Sequence, residues 1–173
     1  MMTINGDSDN DSKYLIAVTK HGTIKKTLLS EFTNNRKSGL IAIKLKDGDE
    51  LVGIKETTGD DNVIIVTKQG KCITFSENDV RPMGRAAAGV RAIKLEEGDE
   101  VVSMTLTNSN EELLVVTQNG YGKRTPVEEY KLQTRGGKGL LTYDKSKFKK
   151  TGQLIGAMIV DDDDEVKIGR AHV

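Results

Sequence analysis

The chain has 173 residues, 26 basic and 26 acidic, for a formal net charge of zero; aromatics make up 4% and tryptophan is absent. That length allows one domain with a core of Val, Ile and Leu, and the single cysteine, Cys72, excludes an internal disulfide and suits a reducing compartment. No apolar run approaches the ~20 residues of a membrane-spanning helix, so no membrane partner is expected.

The first segment, MMTINGDSDNDS, is polar and lacks the apolar stretch of a signal peptide, so residues 1–13 read as a disordered leader. Tyr14–Thr19 (YLIAVT) has the continuous apolar look of a buried strand, and Lys20-His21-Gly22 turns the chain into a more polar strand, Thr23–Leu29. Side chains alternate across a strand, so at least one of the adjacent Lys25 and Lys26 is expected to face solvent. Ser30–Gly39 reads as a loop, Leu40–Leu45 as a third strand, and Glu50–Lys55 as a fourth after the acidic Lys46–Asp49 turn. A second set of strands follows at Asn62–Thr67, Lys71–Phe75, Ala92–Leu95 with its neighbours, and Glu100–Leu106. A third is predicted at Leu113–Thr117, Tyr121–Thr125, Leu140–Tyr143 and Gln153–Ile159. Sustained helical periodicity is absent; Ser76–Val80 and Val127–Leu132 each suit one short helical turn. Pro82 and Pro126 fall at a loop and a strand end, where a missing N–H is tolerated. Cys72, inside KCITF, reads as a buried side chain rather than a reactive thiol.

The three sets are copies of one unit. RKSGLIAIKLKDGDELVGI (36–54) returns as GRAAAGVRAIKLEEGDEVV (84–102) and begins again as TRGGKGLLTYDK (134–145). Gly39, Gly89 and Gly139 are 50 residues apart, and the Thr-x-x-Gly pairs Thr19/Gly22, Thr67/Gly70 and Thr117/Gly120 step by 48 and 50. Four short strands per unit with glycine-rich turns predict an all-β, propeller-like array of four-stranded blades. The boundaries are 14–61, 62–112 and 113–166, with 167–173 an irregular tail. The array is expected to be open, with unpaired edges that favour self-association.

The zero net charge conceals a segregation in phase with the repeat. Windows 20–44, 68–94 and 123–150 hold 21 of the 26 Lys/Arg and only 6 of the 26 acidic residues. Stacked blades would bring these windows together as a basic stripe, the footprint of a nucleic-acid backbone. With few aromatics to stack on bases, duplex phosphate contact without sequence readout fits better than single-strand binding. The predicted contacts are Lys25, Lys26, Arg36 and Lys37 in the first unit. In the second they are Lys71, Arg85 and Arg91, and in the third Lys123, Arg124, Arg135 and Lys138.

The strings GTIKKTLLSEF, DVRPMGRAAAGVRAIKLEEGDEVVSM and TQNGYGKRTPVEEY resemble the C-terminal domain of the DNA gyrase A subunit, over roughly Tyr14 to Val166. The resemblance implies part of a six-bladed β-pinwheel whose blades exchange strands, and which binds and bends duplex DNA around its basic rim in support of supercoiling. It implies a bacterial, cytoplasmic setting and, in the full enzyme, the rest of gyrase A and gyrase B as partners. Gln133-Thr134-Arg135-Gly136-Gly137-Lys138-Gly139 is similar to the family's signature heptapeptide, with Thr in place of an Arg and in a later blade. The family's catalytic tyrosine belongs to another region of gyrase A, so no catalysis is expected of this chain. The alternatives are the corresponding domain of topoisomerase IV and a protein-interaction propeller. No cofactor or metal is expected: GGKG lacks the spacing of a nucleotide-binding loop, Asp161–Asp164 reads as a solvated acidic turn, and His21 and His172 stand alone.

Overall fold

The computed structural model describes residues 13–32, 45–84, 87–107 and 111–160. These form three antiparallel sheets from eleven strands and no helix longer than a single turn. The first two strands are β1 (Tyr14–Thr19) and β2 (Thr23–Leu28), followed by β3 (Leu51–Thr57). Next come β4 (Asn62–Thr67), β5 (Lys71–Ser76), β6 (Val90–Arg91) and β7 (Val101–Thr107). The last four are β8 (Glu112–Thr117), β9 (Gly122–Pro126), β10 (Leu140–Leu141) and β11 (Leu154–Val160).

The sheets are ordered β3-β1-β2-β6, β10-β5-β4-β7 and β11-β8-β9. The second and third sequence units therefore each send their short third strand to the sheet of the preceding unit. Thr23 and Ile24 pair with Arg91 and Val90, and Cys72 and Lys71 pair with Leu140 and Leu141. The strand expected around Ala92–Leu95 is confined to the neighbouring Val90–Arg91, and that expected at Leu140–Tyr143 to Leu140–Leu141; both complete a neighbour's blade. The predicted strand at 40–45 lies outside the described residues up to position 44, as do Gly39 and Asp161–Asp164.

The central sheet explains why its strands are apolar without alternation. Val63 and Ile65 of β4 join Ile16, Val18 and Ile24 of the first sheet in one buried cluster. Ile64 and Val66 turn the other way and join Leu113, Val115 and Leu154 of the third. A strand buried on both faces needs apolar residues at every position. Cys72 lies in this second cluster, and burial pushes its thiol up to about 12, consistent with an inert packing role. The strands β3, β7 and β11 pack side by side at one end of the sheets. The exchanged β6 and β10 lie at the opposite, outer edge.

The Thr-x-x-Gly landmark is the hairpin that makes the exchange possible. In all three copies the glycine N–H bonds the threonine carbonyl at 3.0–3.1 Å. The threonine Oγ1 accepts from the backbone N–H four residues on, that of Thr23, Lys71 or Tyr121. The acidic turn locks the same hairpin: Asp49 Oδ1 accepts from His21 N and Glu50 N, and Asp99 Oδ1 from Gln69 N and Glu100 N. His21 is an exposed turn residue, as predicted. The glycine then meets the next unit, with Gly22 O accepting from Ala92 N and Gly70 O from Thr142 N.

Gly70 has φ +89°, and a Cβ there would lie 2.7 Å from Tyr143 O. Gly70→Ala should therefore cost at least the ~1–3 kcal/mol of a left-handed non-glycine residue, with the steric clash added. Gly84→Ala, with nothing within 4 Å of the new methyl, should leave urea-unfolding stability within about 0.5 kcal/mol of the parent. Equal losses for the two variants would contradict the close approach.

Candidate nucleic-acid interface

The described candidate residues divide into buried, braced and exposed groups. Lys25 and Lys26 do not behave as expected: their exposures are 0% and 3%. Alternation sends them to opposite faces of β2, but both faces are covered, so neither ammonium reaches solvent. Lys26 Nζ sits 3.2 Å from Glu77 Oε1, bonds the Glu77 carbonyl, and lies 4.4 Å over the Tyr14 ring. Glu77, itself buried, accepts through Oε2 from Thr57 Oγ1 and from Asp61 N. Its Oε1 takes no hydrogen bond among the described residues and is left to the Lys26 ammonium. This pair bolts the first sheet to the second and is closed to a phosphate.

Arg135 is a brace. Its Nε donates to Asp79 O at 3.0 Å and Nη1 to Arg91 O at 2.6 Å. Together with Gly136 N to Ala92 O and Gln133 N to Thr74 O, these bonds hold the glycine-rich loop against both β5 of the second sheet and the β6 segment of the first. Lys123 Nζ bonds Thr142 O at 3.1 Å, and Arg124 pairs with Glu112 at 2.9 Å; both keep exposed side chains.

Arg91, on β6, and Lys138, beside β10, are exposed at the outer edge and make no ion pair among the described residues. Lys71 is half-buried and faces Glu96 at 3.7 Å. Arg36, Lys37 and Arg85 lie outside the described residues.

Three further cations flank the clefts between successive units: Lys46, Lys94 and Lys145. Lys46 and Lys94 join Arg91 around an open cleft of about 540 Å³ beside Gly22. Lys145 pairs with Glu96 at 3.2 Å. Its hydrogen bond and charge, and then the charge of Lys71, hold the Glu96 carboxyl below the usual carboxylate value. Aligning the repeats would have exposed this pattern, because Lys46 and Glu96 occupy equivalent positions with opposite charge.

These sheets, built from repeats that lend a strand to the preceding blade, define a propeller-like, strand-exchanging domain. The chain matches the family described as DNA gyrase C-terminal domain, beta-propeller, over residues 13–57, 61–108 and 111–161, and it belongs to that family. It is 60% identical over 159 residues to the DNA gyrase A protein of Clostridium acetobutylicum, covering 92% of this chain and 19% of that protein. For the gyrase A protein of Salmonella typhimurium the identity is 45% over 148 residues, covering 86% and 17%. A solved DNA gyrase A C-terminal domain superposes with a TM-score of 0.80 at 35% identity, covering 92% of this chain and 53% of that one. The C-terminal domain of a DNA topoisomerase IV superposes at 0.82 and 31%, covering 91% and 49%. The chain thus spans about a fifth of the length of these curated relatives and about half of the solved domains. No helix among the described residues is long and apolar enough to cross a membrane.

Lys26→Met alone should destabilise the fold by about 3–5 kcal/mol, because it strands the buried Glu77 carboxylate. Lys26→Met/Glu77→Gln should recover most of that loss in urea unfolding. If the double variant is no more stable than the single one, the ion pair is not the cause.

Proposed function

We propose that this chain binds duplex DNA without sequence preference and bends it along the outer edge of its sheets, as part of a gyrase A protein. The observation that carries this reading is the concentration of Lys and Arg in three windows in phase with the repeat. The geometry supports it: strand exchange sets Arg91 and Lys138 at corresponding outer edges of successive sheets. Cations recurring at blade spacing suit a curved polyanion, and main-chain-braced loops hold them in place. The Arg135 guanidinium contributes by fixing the loop that presents Lys138. Phosphates would supply the contacts, so affinity should be nearly indifferent to sequence. Supercoiling would then be a property of the full enzyme, with the remainder of gyrase A and gyrase B as partners and this chain in a non-catalytic, DNA-wrapping role.

Fluorescence anisotropy on a duplex of about 30 base pairs tests this, since bending a site of that length costs on the order of 1–6 kcal/mol that contacts from several blades must offset. The log–log salt slope should be near −0.9 per phosphate neutralised. Arg91→Ala/Lys138→Ala should make that slope shallower by about 1–2 and weaken all duplexes alike. Salt-independent binding by the parent would remove the reading; an unchanged slope in the double variant would remove these two residues from the path.

The outer edge of β9 carries no strand among the described residues, whereas its counterparts β2 and β5 carry β6 and β10. This supports the expected self-association through open edges. Sedimentation velocity should show a mass that rises with concentration, and a constant monomer mass would end that proposal.

A further inference from the structure

The two clefts between successive units are built alike in backbone but carry opposite charges at one equivalent position, Lys46 in the first and Glu96 in the second. In each, a hairpin glycine abuts the carbonyl of the next unit: Gly22 meets Ile93 O, and Gly70 meets Tyr143 O. At the first cleft, Lys46, Arg91 and Lys94 surround an open space, and its acid, Asp49, accepts backbone N–H groups of the turn. At the second, the repeat places Lys71 where the first has Thr23, Glu96 where it has Lys46, and Lys145 where it has Leu95. There the Glu96 carboxylate reaches both lysines, Oε1 at 3.7 Å from Lys71 Nζ and Oε2 at 3.2 Å from Lys145 Nζ.

We propose that Glu96 is a built-in counter-charge that competes with DNA phosphate for Lys71 and Lys145, making the second cleft a weaker phosphate site than the first. This rests on the duplex-binding reading above. A carboxylate bridging two ammonium groups presents two anionic oxygens, as a phosphate diester does. The exchange is feasible because Glu96 and Lys145 are exposed and Lys71 is only half-buried: such ion pairs are screened and individually weak. A phosphate displaces Glu96 only by returning that carboxylate to water, so the two lysines act on DNA at a discount that Lys46, Arg91 and Lys94 do not carry. Lys71 therefore belongs to the binding surface conditionally, and Lys145 joins it on the same terms. The effect along a bound duplex is unequal grip at successive blades, strongest between the first and second units.

The experiment is duplex anisotropy across a salt series for the parent chain, Glu96→Gln, Lys71→Gln/Lys145→Gln and the combined triple variant. Glu96→Gln should bind about threefold to tenfold more tightly near 0.1 M salt, with a slope steeper by about 1–2, the signature of one or two added phosphate contacts. In the background of Lys71→Gln/Lys145→Gln, the Glu96→Gln change should have no further effect. Glu97→Gln alters net charge identically one residue away and makes no ion pair among the described residues, so its effect should be smaller. A parent that binds DNA while Glu96→Gln binds identically would overturn the proposal. So would a gain that persists without the two lysines or is matched by Glu97→Gln. A parent that does not bind duplex DNA would instead remove the underlying reading.

Discussion

The structure depends on a main-chain handover. The hairpin closing each blade leaves Gly22 O and Gly70 O in a buried junction, and the next unit supplies Ala92 N and Thr142 N to meet them. Buried backbone groups without partners are costly, so this pairing is close to obligatory once the sheets stack. It holds the residues just before Ala92 and Thr142 along the outer edge, where β6 and β10 complete their neighbours' sheets. The repeat unit in the sequence and the blade in space are therefore offset, and neither of the first two sheets is covalently self-contained.

That offset determines where charge ends up. Segments flanking the exchanged strands are fastened across unit boundaries, by Gly136 N to Ala92 O and Lys94 N to Gly137 O. The Arg135 guanidinium adds two bonds to main-chain carbonyls of the preceding unit. A glycine-rich loop held at that many points presents its lysine with little conformational freedom to lose on binding. Cationic side chains in such a protein divide: Lys26 and Arg135 tie units together, Arg91 and Lys138 are exposed with no ion pair among the described residues, and Lys71 is paired with Glu96.

Several features were readable in the residues before any fold was known. The 48- to 50-residue period identified three units, and Thr-x-x-Gly marked three equivalent hairpins. β1 and β4 lie where the apolar runs placed them, and the short 3-10 turns at 77–79 and 127–129 fall within the two predicted segments. The turns at 29–32 and 145–147 carried no such signal, being brief and set by local capping such as Asp144 Oδ1 accepting from Ser146 N.

The sequence by itself determined the class of fold, the number of units and the segregation of positive charge, because these are periodic and periodicity is a one-dimensional property. Only the tertiary structure decided which sheet each third strand completes, since β6 could in principle pair within its own unit and only the packed hairpin selects β2. The same holds for individual lysines. Alternation assigns Lys25 and Lys26 to two faces of β2 but cannot say that both faces are covered, nor that Glu77, 51 residues away, waits on one of them. Whether a cation is a brace, half of a pair or free for a phosphate depends on what lies opposite it in space, and that neighbour comes from another repeat.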